Sequence, residues 1–111
     1  MEQITWPDFE KIDIRVGTII EAQAFPKAKK PAYQLTIDFG PLGIRRSSAQ
    51  ITDHYSLESL KDQQVIAVVN FPPKNIAGFQ SECLVLGIYD EANNVVLLSP
   101  NKTVLNGAKI G

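Results

Sequence analysis

Ile12-Asp13-Ile14-Arg15-Val16-Gly17-Thr18-Ile19-Ile20-Glu21-Ala22-Gln23-Ala24 is the stretch on which the fold turns. It is rich in β-branched residues, whose restricted χ1 angles and shape suit a pleated sheet better than a helix. Alternation sets Ile14, Val16, Thr18 and Ile20 on one apolar face. Gly17 interrupts so long a strand, and a glycine there is expected to mark a bulge or sharp coil, the bend a small closed barrel needs.

Upstream, Thr5-Trp6-Pro7-Asp8-Phe9-Glu10-Lys11 has a capping residue, an early proline and acids in the first turn, which predicts a short helix. Downstream, Phe25-Pro26-Lys27-Ala28-Lys29-Lys30-Pro31 is bracketed by prolines and reads as a loop. Tyr33, Leu35, Ile37 and Phe39 alternate with polar residues as a half-buried second strand, and Gly40-Pro41-Leu42-Gly43 turns it into a third, Ile44 to Ala49. Ser56-Leu57-Glu58-Ser59-Leu60 suggests a short helix, and Gln64 to Asn70 a buried fourth strand. Phe71 to Ser81 reads as a second long loop, Cys83 to Tyr89 as the fifth strand, and Val95 to Leu98 as a strand-like piece beyond it. Five strands with a short helix between the third and fourth is the order of an OB-fold. The expectation is therefore an all-β chain: a five-stranded OB-fold Greek-key barrel with a short N-terminal helix, a short helix between strands 3 and 4, and a C-terminal extension. It is one domain over 1–111, with the barrel core at about 9–90 and the extension at 91–111.

Composition narrows the chemistry. Hydrophobic residues make up 44% and charged residues 21%, as in ordinary globular chains. No basic leader opens Met1-Glu2-Gln3 and no apolar run reaches membrane-spanning length, so a cytoplasmic protein with no membrane insertion is expected. Cys83 is the one cysteine, so no intrachain disulfide forms, and a reducing compartment fits. His54 is the one histidine, and with Cys83 it supplies too few ligands for a zinc site. No phosphate-cradling glycine loop is present. No catalytic residue, metal or cofactor is expected.

The charge distribution points to binding. Residues 22–50 hold Lys27, Lys29, Lys30, Arg45 and Arg46 against Asp38 alone, in a chain whose formal net charge is −1. Such a segment can form a phosphate-attracting face on a nearly neutral protein. OB barrels bind across strands two and three, between the loop after strand one and the loop after strand four. Those places carry Lys27, Lys29, Lys30, Arg45, Ser48, Gln50, Asn70, Lys74 and Ser81 as candidate RNA contacts. Lysine and arginine attract phosphates, and serine, asparagine and glutamine reach sugars and bases. With Ile44 facing the core, Arg46 is expected to point inward or toward a barrel end, which makes Arg45 the better surface candidate. Phe71, Ile76 and Phe79 are the candidate contacts for an apolar peptide, although Phe71 and Phe79 would also serve to plug the barrel end.

These residues carry a family resemblance. Asp13-Ile14-Arg15-Val16-Gly17, Tyr33, Leu35, Ile37-Asp38, Gly40, Asn70, Lys74, Gly78 and Ser81 resemble the tRNA-binding domain of bacterial methionyl- and phenylalanyl-tRNA synthetases and of the EMAP-II-like cytokines. Within that family the likeness to the CsaA-type secretion chaperones is closer. It runs through Ile37-Asp38-Phe39-Gly40, Ser47-Ser48-Ala49-Gln50-Ile51-Thr52, Asn70-Phe71-Pro72-Pro73 and Ile76-Ala77-Gly78-Phe79 to Lys109-Ile110-Gly111. The resemblance implies a non-catalytic, cytosolic homodimer that binds unfolded or exported precursor polypeptides and assists their secretion. It also implies an interface from the N-terminal helix and the C-terminal extension, with Trp6, Phe9, Val95 and Leu97 as its candidates. The alternative is a stand-alone, structure-specific tRNA-binding protein. Glu82-Cys83 departs from the synthetase pattern, which has Gly-Met there, and puts a carboxylate beside the expected RNA path.

Overall fold

The computed structural model describes residues 1–111. Helix α1 (Trp6–Glu10) opens on a reciprocal cap in which Thr5 Oγ1 accepts from the Asp8 N–H and Asp8 accepts from the Thr5 N–H. Strands β1 (Ile14–Ala24), β2 (Tyr33–Asp38) and β3 (Ile44–Ala49) follow as an antiparallel meander. Helix α2 (Leu57–Leu60), capped by Ser56, leads to β4 (Gln64–Val68). The rest is the hairpin β5 (Lys74–Ile76) and β6 (Phe79–Ser81), then β7 (Leu84–Val85), β8 (Gly87–Tyr89) and β9 (Val95–Leu97). One sheet runs β3-β2-β1-β4-β7. Its two edges meet through polar bonds: the Glu82 N–H donates to the Arg46 carbonyl at 2.7 Å, and Ser47 Oγ donates to the Cys83 carbonyl at 2.9 Å. The result is the nearly closed, five-stranded OB-type barrel that the strand order implies.

Leu35, Ile37 and Phe39 are fully buried, as their alternation predicts, and join Ile19, Leu60, Val65 and Ala67 inside the barrel. Each large side chain so buried contributes about 1.5–3 kcal/mol. β1 departs from the expected facing. Gly17 and Ile19 face this interior, while Val16 is buried outside the main core and Ile20 is exposed. The bulge falls between Ile19 and Glu21, not at Gly17. Gly17 is there to leave room: a Cβ on it would lie 2.6 Å from Ile37 Cγ2 and 2.7 Å from Phe39 Cδ1.

The second long loop is in fact mostly hairpin. β5 and β6 pair around Ala77 and Gly78, whose φ angles of 49° and 84° give the left-handed turn that matches strand twist. The expected fifth strand breaks at Leu86, whose N–H bonds the Ile66 carbonyl before Gly87 begins pairing with β9. The end of the chain then lies beside the start of β1, with Val16 N–H bonding Ala108 O at 2.9 Å and Ile110 N–H bonding Ile14 O at 2.9 Å. No helix is long and apolar enough to cross a membrane.

Candidate functional site

The two connections expected to meet do meet. Phe25 and Ala32 in the first loop pack against Phe79 of β6 in a small buried cluster of their own, with ring centroids of Phe25 and Phe79 5.4 Å apart. That cluster fastens the basic loop to the β5–β6 hairpin and leaves a cleft of about 630 Å³ between them. Lys27, Lys29 and Lys30 line one wall, Lys74 the other, and Ser48 and Gln50 the floor. No acidic residue lines it, so the four lysines of its lining face no carboxylate there. A second groove of about 810 Å³ continues past Lys74, where Phe71, Pro72, Pro73 and Leu84 join Ser48, Gln50 and Ser81. Ser81 is anchored at this junction, its Oγ accepting the Ser48 N–H at 3.1 Å.

Five sequence expectations need correction. Arg45 is half-buried and donates Nη1 to the Val69 carbonyl at 2.6 Å, so it braces β3 against β4. Ile44 and Arg46 take the outer face of β3, because Ser47 and Ala49 are the residues turned inward. Asn70 is spent on the fold: its Oδ1 accepts the Asp13 N–H and its Nδ2 donates to the Lys11 carbonyl. Phe79 is buried in the cluster that holds the cleft together, and Ile76 is half-buried against it, so of the three apolar candidates Phe71 alone is exposed, at 55%. Val95 and Leu97 pack on the barrel core, while Ile88 and Val96, paired opposite one another, face outward at 58% and 41%. In the N-terminal segment, Trp6 stays 63% exposed and packs against Phe9 with ring centroids 5.3 Å apart and the planes tilted by 48°.

Glu82 does not oppose the cations. Its Oε1 accepts the Arg46 backbone N–H at 3.0 Å, using the carboxylate as a substitute strand partner. Arg46 itself is missing from the sequence-based set. Its guanidinium carbon lies 4.4 Å from the Phe79 ring centroid. The alternation of Arg45 and Arg46 carries the signal, but the apolar Ile44 beside them suggests the opposite facing from the one the barrel adopts.

Burial pushes the Cys83 thiol up to about 11, which leaves it protonated and a poor nucleophile. His54 Nε2 lies 2.6 Å from Asp90 Oδ2, and the Asp90 carboxyl is lowered first by the Asn94 N–H and then by this histidine. Asp13 is lowered chiefly by its hydrogen bond from Arg15.

Known proteins resemble this chain along its length. Residues 14–109 match the model of the tRNA binding domain family. The chaperone CsaA of Bacillus anthracis superposes with a TM-score of 0.94 at 53% identity, covering 99% of this chain and 100% of that one. The CsaA chaperone of Picrophilus torridus gives 0.92 at 52%, covering 98% and 100%. Methionine–tRNA ligase of Pyrococcus horikoshii is 39% identical over 99% of this chain, yet the chain spans only 15% of that ligase. On its sequence, its barrel and these likenesses, the chain belongs to the tRNA-binding-domain family.

Proposed function

We propose that this is a non-catalytic binding protein of the CsaA type, holding unfolded or precursor polypeptides in the cytoplasm before their secretion. One observation carries the reading: Phe71 and Leu84 remain 55% and 48% exposed along a groove that also presents Ser48, Gln50 and Ser81. Apolar walls with a few hydrogen-bonding groups suit an extended polypeptide of varied sequence. The end-to-end likeness to two proteins called CsaA chaperones supports it.

A second reading, tRNA binding, is favoured by the adjoining cleft with its four unopposed lysines and by the family itself. Salt separates the two. Binding of an unfolded preprotein is expected to persist or strengthen as salt rises. Binding of tRNA through four phosphates is expected to weaken with a log–log slope of about −3 to −4. Failure to retain unfolded preprotein at either salt concentration would sink the chaperone reading, and a flat tRNA response would sink the other.

The homodimer belongs to the same proposal. Trp6, Ile88 and Val96 are large exposed apolar groups, and Ile88 and Val96 replace Val95 and Leu97 as the seam on the C-terminal side. A lysine at Ile88 or Val96 is expected to give a folded monomer by sedimentation. A dimer that survives both changes would place the seam elsewhere.

A further inference from the structure

We propose that Arg46 is a phosphate-binding residue and that a nucleic-acid strand in the lysine cleft continues around the tip of the β5–β6 hairpin to reach it; this rests on the tRNA reading above. A third hollow, of about 590 Å³, lies on the far side of that tip. It shares Lys27 and Ala77 with the lysine cleft, so the two spaces adjoin at the turn. Gly78 has no side chain to narrow the passage, and a Cβ built there would meet nothing within 4 Å.

Arg46 is prepared for an anion. Its guanidinium rests over the Phe79 ring at 4.4 Å, and Nη2 bonds Gln34 Oε1 at 3.4 Å, which together limit its rotamers. Phe79 is itself immobilised in the buried cluster with Phe25 and Ala32. The cation has no counter-ion in the chain, since the ion pairs within 4.0 Å are Lys11–Asp8, Arg15–Asp13 and His54–Asp90. The nearest carboxylate by sequence pairing, Glu82, is engaged with the Arg46 backbone. The hollow's charged residues are Lys27 and Arg46, both positive. An exposed, oriented and unpaired guanidinium beside a lysine suits a phosphodiester, because its planar fork binds two phosphate oxygens at once. Its place over the ring leaves the Nε and Nη1 edge free, with Nη2 engaged by Gln34. Phe25 and Phe79 are too buried to stack a base, so the contact is to the backbone of the strand and independent of base sequence.

The test uses the full chain and unfractionated tRNA as probe, with affinity measured across a salt series. Arg46→Gln is expected to weaken binding roughly tenfold at low salt and to make the log–log slope shallower by about one. Arg46→Lys is expected to keep the slope while losing part of the affinity, because the charge remains and the fork does not. Lys74→Gln, in the cleft proper, calibrates the loss of one phosphate contact. Thermal melts of each variant separate a lost contact from a lost fold, and a slope restored by lysine is something a purely structural role would not produce. If Arg46→Gln keeps the parent's slope and affinity while Lys74→Gln loses both, the path stops in the cleft and the inference falls while the tRNA reading stands. If the parent chain binds no tRNA, reading and inference fall together.

Discussion

Replacing Gly17 with alanine adds one methyl group to β1 where the barrel is tightest. The new Cβ would stand 2.6 Å from Ile37 Cγ2, and 2.7 and 2.8 Å from Phe39 Cδ1 and Cε1. Non-bonded carbons rest about 3.5–4.0 Å apart, so the overlap is about 1 Å on two side chains at once. Neither can retreat, since Ile37 and Phe39 are both fully buried, and β1 is held through its pairing of Gly17 with Val65. Overpacking of this kind costs about 1–3 kcal/mol, and closed surroundings favour the upper half. Alanine in ordinary extended backbone recovers about 0.5–1 kcal/mol of chain entropy, which leaves a net loss of about 1–2.5 kcal/mol. For a chain of this size that is a fall in Tm of about 4–11 °C. Thermal melting and urea unfolding followed by circular dichroism would measure it, with a lower urea midpoint and an unchanged m value. Shortening the ring in the double variant Gly17→Ala, Phe39→Leu is expected to cost less than the two single losses added together. A single variant that melts within about 2 °C of the parent would refute the packing argument.

Four more outcomes follow from buried or committed groups. Cys83 should resist alkylation at pH 8 in the native chain and react readily in urea; rapid native labelling would mean that the thiol is not closed off. Because its folded value is raised from 9.0 to about 11, stability is intact below about pH 9 and declines between there and about pH 11, at up to about 1.4 kcal/mol per pH unit. Asp13 has the opposite sign: its folded carboxyl is lowered by Arg15, so its contribution is present above the ordinary carboxylate range and lost as pH falls through the lower folded value. Asp13→Asn should therefore flatten the acid limb of a plot of urea midpoint against pH, and an unaltered limb would deny the pair any role in stability. Asn70→Ala unpairs the Asp13 N–H and the Lys11 carbonyl, and should lower stability by about 1 kcal/mol while leaving tRNA affinity at fixed salt unchanged. A large loss of affinity with no loss of stability would return Asn70 to the binding surface.

Where neighbours along the chain carried the information, sequence was enough. Strand order, the two capped helices and the inward set Leu35, Ile37 and Phe39 follow from local pattern, because caps and period-two alternation are decided within a few residues. The lysines of the first loop were legible for the same reason: charge brackets and prolines keep such a segment at the surface.

What sequence could not decide was parity and partnership. In β1 one inward residue is a glycine, invisible to any hydrophobic count, and Phe39, at the end of the next strand, fills the space its side chain would take. In β3 an apolar Ile44 stays exposed while Ser47 is buried, since closure of the barrel there is made by hydrogen bonds to Cys83 and Glu82 and not by apolar contact. The same dependence on distant segments sent Arg45 to the Val69 carbonyl, Asn70 to the N-terminal chain and Phe79 under Arg46. Local pattern determines which residues alternate. Only the closed barrel determines which side of the alternation is inside, because that depends on atoms the chain brings together after it has folded.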